Sequence, residues 1–159
     1  MSYAEGTTVS AEKSRAELEH LLTKAGATSF AYAWEEQEIP GSAGFFQKVA
    51  KVGFTLNDFP IRFFLPFPRG QDFVESGGGR QRTAIQVEAA MEKETRRRWR
   101  SLVLVVKAKL EAVATGISTL EHEFLADIAT KDGRTIGQRM LPDLRRAATS
   151  GKLPNLIEG

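Results

Sequence analysis

The sequence predicts an α+β fold: an N-terminal helix, a three-stranded antiparallel meander, a long basic and apolar helix, and short C-terminal helices. Three observations carry this. Leu18, Leu21, Leu22 and Ala25 recur at helical spacing near the start. Phe30, Tyr32 and Trp34 then alternate with Ala31 and Ala33, the period-two pattern of a strand. From Ala84 to Thr115 the chain returns to a helical period long enough for about nine turns.

Each element has local signals. Ser10 is a good N-cap and Gly26 a good terminator, so the first helix spans roughly Ser10 to Ala25. Glu35 to Gln47 holds Pro40, Gly41 and Gly44 and reads as a connection. Its Phe45–Phe46 pair, unusual in a loop, is expected to tuck under the sheet. Val49 to Leu56 and Phe59 to Leu65 read as the next strands. Asn57–Asp58 forms the turn between them, because both residues tolerate positive φ. Ser118 to Glu121 has capping-box spacing and starts a further helix. Thr135 caps a last helical segment, which Pro142 is expected to break or restart.

A chain of 159 residues, 42% hydrophobic and 26% charged, suits one domain with an ordinary core. Residues 1–9 read as a flexible tail, 10–150 as the domain and 151–159 as a loose tail. Residues 69–82, with Gly77–Gly79, read as a flexible linker inside it. The absence of cysteine excludes disulfides, thiolate metal sites and cysteine nucleophiles. No apolar run reaches spanning length and the start lacks a signal-peptide pattern, so the expected location is cytoplasmic, with no membrane partner.

Net charge is only +2, but residues 80–109 carry nine Lys/Arg against three Asp/Glu. That local excess points to a polyanionic partner. Arg96, Arg97, Arg100, Lys107 and Lys109 are the candidate phosphate contacts, assisted by Arg80 and Arg82 of the glycine-rich segment. Arg96, Arg100 and Lys107 share one side of the helix. The competing reading is structural. Glu92–Arg96 and Glu94–Arg98 have favourable i,i+4 spacing, and Trp99 continues the stripe Leu102, Val103, Val106 and Leu110. That stripe predicts core, or a homo-oligomer interface if the sheet leaves it open. Phe30, Tyr32 and Trp34 suit a core face better than a base-stacking platform. GGGRQR lacks the GK[ST] ending of a phosphate loop. His20 and His122 have no second histidine at ligand spacing, so no metal or cofactor is expected, and no nucleophile motif supports an enzyme.

Five segments, EKSRAELEHLL, SFAYAWEE, VGFTLNDFPIRFFLPFP, WRSLVLVVKAKLEAVATGIST and DGRTIGQRMLPDL, together resemble small uncharacterised proteins of tailed phages and prophages. The resemblance covers most of the chain. It implies a role in the cytoplasm of an infected or lysogenic bacterium, and it brings no site residues with it. The expectation is therefore a non-enzymatic accessory protein that binds single- or double-stranded nucleic acid, in replication or recombination. The alternative is a protein-interaction module that redirects a host factor such as a defence component, through Phe45, Phe46, Phe64 and Phe67.

Overall fold

The structure, a computed structural model, describes residue 4 and residues 6–151. The expected tail at 152–159 and most of residues 1–5 lie outside them. Helix α1 spans Ala11–Lys24, strands β1 Ser29–Glu38, β2 Phe46–Leu56 and β3 Phe59–Pro66, and helices α2 Ala84–Ala114, α3 Leu120–Phe124 and α4 Ile136–Ser150. The fold is thus the expected α+β arrangement, with an antiparallel sheet ordered β1-β2-β3.

The caps act largely where the sequence puts them. Ser10 Oγ accepts from the Lys13 N–H at 3.2 Å. Thr83 and Thr135 each form a full capping box, with Gln86 and Gln138. In α3 the cap is Thr119, not Ser118: its hydroxyl accepts from His122 N–H at 3.2 Å. Pro142 does not break α4 but sits inside it. A proline there removes one i→i−4 bond at a cost of about 3 kcal/mol, which the capping box offsets only in part. Asn57 and Asp58 form the β2–β3 turn with φ of 48° and 65°.

Both strands of the first hairpin run past their expected ends. Register continues from Ser29 opposite Thr55 to Glu38 opposite Phe46. The loop beyond is a hydrogen-bonded tip: Ile39 N–H donates to Phe45 O at 2.8 Å, and Gly44 N–H to the Glu38 carboxylate at 2.7 Å. Residues 69–82, expected as a flexible linker, are instead folded locally. They carry a 3-10 turn at Gly70–Phe73 and a bridge between Glu75 and Gln81. Arg82 holds this loop by donating to the carbonyls of Phe73 and Glu75. At the other end, Ala4 is buried and lies beside Phe73 and Ala90.

One sheet face is the core face. It presents Phe30 and Tyr32 from β1, Val52, Phe54 and Leu56 from β2, and Ile61 and Phe63 from β3. Leu18 and Leu22 of α1 and Trp99, Leu102, Val103 and Val106 of α2 bury against it. The apolar stripe of the long helix is therefore consumed inside the chain, which closes the expected route to a dimer. Trp99 meets Tyr32 edge-on with ring centroids 5.3 Å apart. Arg15 of α1 caps both rings, its guanidinium 4.9 Å and 5.3 Å from their centroids. On the β3 edge, Ile61 bridges to Ile128, and Ala129 N–H donates to Pro60 O at 2.7 Å. The C-terminal segment thus covers that edge. Among the described residues nothing pairs with the outer edge of β1.

Candidate functional site

The basic residues of α2 are distributed around the helix, and most are engaged locally. Arg97 donates to both oxygens of Glu94, at 2.8 Å and 2.9 Å. Arg98 shares the same carboxylate at 2.8 Å and also reaches the Pro66 carbonyl. Arg100 pairs with Glu17 of α1. Lys109 donates to the Glu123 carbonyl, with its ammonium 5.4 Å from the Phe124 ring centroid. The shared side holding Arg96, Arg100 and Lys107 faces α1. Arg96 lines a groove beside Ser10 and Ala11, and Lys107 lines a second groove with Leu21 and Lys24. Arg82 is committed to loop carbonyls, and Arg80 stands exposed. The seven candidate cations are thus spread over the α1–α2 seam, the loop and the α3 contact.

Sequence spacing paired Arg96 with Glu92, yet Arg96 has no carboxylate partner among the described residues. Its Nε is buried without an acceptor. Arg97, which spacing left unpaired, proves to be paired.

Glu94 is the hub of this network. Burial pushes its carboxyl up, but hydrogen bonds from Arg97 and Arg98 outweigh burial and hold it below the ordinary value of 4.5. A carboxyl with a lowered folded pKa releases its proton more readily in the folded state. Its stabilisation is complete above the unfolded value and disappears as pH falls through the lowered one. Glu94→Gln is expected to cost about 1 kcal/mol at neutral pH, reduced by the partial exposure of both arginines. The gap between wild type and variant in urea denaturation should close in strong acid. Asp127 has the opposite sign: burial raises it, against the pull of Lys109. Its charging disfavours folding as pH rises through its ordinary range.

The notable exposed chemistry lies elsewhere, at the far end of the meander. By register, Trp34, Glu36, Glu38, Phe46, Lys48 and Phe67 share the core side of the sheet, beyond its buried portion. Trp34 is 54% exposed, and Phe45 and Phe46 are each 60% exposed. Lys48 Nζ sits 3.7 Å above the Trp34 ring and 5.3 Å from that of Phe67. This is an aromatic shelf with one cation over it and two carboxylates along it. Phe45 and Phe46 do not tuck under the sheet. Trp34, read as core, belongs to the shelf, while Phe30 and Tyr32 remain half-buried in the core. Phe64 is separated from Phe46 and Phe67. It is on the opposite face, in a cleft with Ile39, Pro40 and Gln138. On that face Glu35 is held below its ordinary value by Lys51, 2.6 Å away, and by Gln37.

Among the described residues no group of three or more His, Cys, Asp and Glu could hold a metal ion. Nor is any helix of those residues long and apolar enough to cross a membrane. No family model, curated protein or solved structure matches the chain.

Proposed function

We propose that the chain is a non-enzymatic protein-interaction module, of the kind a phage uses to redirect a host factor in the bacterial cytoplasm. The observation that carries this reading is the aromatic shelf. Two phenylalanines and a tryptophan at more than half exposure are an unusual concentration at one sheet end, and aromatic anchors of this type dominate protein interfaces. The open β1 edge runs alongside, offering backbone groups to an added strand. Glu36 and Glu38 lie on the same face, which suits a protein partner better than a phosphate backbone.

The nucleic-acid reading has weaker support. Phosphate binding through α2 would require Arg97, Arg98 and Arg100 to exchange existing carboxylate partners for phosphates.

Two variants separate the readings, Phe45→Ser/Phe46→Ser and Arg97→Ala/Arg100→Ala. Each is compared with wild type for co-purification from nuclease-treated host lysate and for retention of DNA and RNA at low salt. The expected result is one discrete protein partner, lost from the phenylalanine variant and kept by the arginine variant. Salt-sensitive retention of nucleic acid that falls only in the arginine variant would reverse the assignment.

A further inference from the structure

Helix α4 is the one long helix among the described residues that buries no side chain. Its pattern is nevertheless strongly two-sided. Ile136, Met140, Leu141, Leu144 and Ala148 fall on one face at helical spacing. Leu141 is 47% exposed and Leu144 46%. The remaining face carries Arg139, Arg145 and Arg146, with Asp143 the only carboxylate in the helix. The base of α4 is anchored. Ile136 N–H donates to Ile128 O at 2.9 Å, and Gly137 lies so close to Ala126 that an added Cβ would be 2.9 Å from its carbonyl oxygen.

A surface of matching character exists at a different place in the fold. A groove of about 780 Å³ runs between the N-terminal end of α1, the 69–82 loop and the first half of α2. Ala11, Val74, Val87 and Met91 make it apolar. Three carboxylates, Glu12, Glu88 and Glu92, also line it. Of its two arginines, Arg82 is committed to loop carbonyls, and Arg96 holds a buried Nε with no acceptor. The groove therefore offers apolar surface and carboxylates for cations. Helix α4 presents the converse: apolar side chains and flanking arginines. Within one chain α4 is held at the 3-10 turn Leu125–Asp127, while the groove belongs to α1, the loop and α2.

We infer that α4 of one copy docks in the α1–α2 groove of a second copy, with a reciprocal contact closing a two-fold dimer. The occupant is chosen by charge complementarity present in this chain, the arginines of α4 meeting the glutamates of the groove. Arg139 and Arg145 flank the apolar face on either side. Arg145 is exposed, and the ion pair of Arg139 with Asp132 is an exposed one, which the dimer can replace at little cost. The contact is separate from the aromatic shelf, which stays free for another protein.

Sedimentation across a concentration series tests this. Wild type is expected to pass from monomer to dimer as concentration rises. Leu141→Glu/Leu144→Glu, at exposed positions that leave the fold intact, should weaken association by at least roughly tenfold. Charge reversal supplies the decisive arm. Arg139→Glu/Arg145→Glu should remain monomeric alone, and so should Glu88→Arg/Glu92→Arg. Their equimolar mixture should form a heterodimer, because each reversed surface then meets its complement. A wild type that stays monomeric at every concentration overturns the inference. So does a dimer that survives the leucine substitutions, or a mixture of reversed variants that fails to associate. Binding of wild-type monomer to vesicles of anionic phospholipid, lost with the leucine substitutions and with no dimer in solution, would assign α4 to a membrane surface instead.

Discussion

Trp99→Ala is expected to remove a large share of the chain's stability and to lower its urea midpoint steeply. Trp99 is fully buried at the centre of the seam between α1, α2 and the sheet. It packs edge-on against Tyr32 beneath the Arg15 guanidinium. Truncating a buried tryptophan costs about 3–5 kcal/mol through lost transfer energy and the remaining cavity. Domains of this size hold only about 5–15 kcal/mol in total. The loss also unseats Arg15, whose two ring contacts include Trp99. Urea denaturation measures it directly, and the two tryptophans provide a control. Trp34 stands on the exposed shelf, so Trp34→Ala should cost roughly 1 kcal/mol or less. Similar midpoints for the two variants would show that Trp99 is not the keystone its burial implies. The indole Nε1 has no hydrogen-bond partner among the described residues. Trp99→Phe therefore trades lost volume against removal of an unsatisfied donor, and should be far milder.

The role of Trp99 was legible in the sequence because Leu102, Val103 and Val106 repeat its position along one helix face. The helix wheel also placed Arg96, Arg100 and Lys107 together. It could not show that α1 lies over that side, since the covering depends on two segments about 80 residues apart, as in the Glu17–Arg100 pair. The far end of the first hairpin was illegible for a different reason. Period-two alternation marks a strand only where one face is buried. Beyond Trp34 the core-side face meets solvent, and the strands are held by backbone pairing and cross-strand pairs such as Glu36 opposite Lys48. No alternating hydrophobic pattern marks the shelf side there, so residues 35–38 and 46–47 read as part of the connection. The α3 cap was missed because Ser118 and Thr119 are equally good capping residues, and only geometry shows which hydroxyl meets a free N–H.

Phe124→Ala should release the segment from α3 onward from the sheet. Helix α3 is five residues long, too short to persist without tertiary contacts. What holds it is Phe124, fully buried and edge-on to both Phe54 and Phe63, at centroid distances of 6.0 Å and 6.4 Å. Lys109 adds its contact with the Phe124 ring and its bond to the Glu123 carbonyl. Downstream, Ile128 bridges to β3 and accepts from Ile136 N–H, so the base of α4 inherits its position from Phe124. The truncation should cost about 3–5 kcal/mol. The loss should also be uneven, because α1, α2 and the rest of the sheet retain their own core around Trp99. Hydrogen exchange resolved by segment is expected to show protection falling first across residues 120–150, with the central sheet and α2 the last to open. Dimerisation through α4 should weaken in parallel, since a helix cut loose from its anchor must be ordered again before it can dock. Uniform loss of protection across the whole chain would mean that the C-terminal segment is part of a single cooperative unit. The aromatic contacts of Phe124 would then stabilise the entire fold, not position α4.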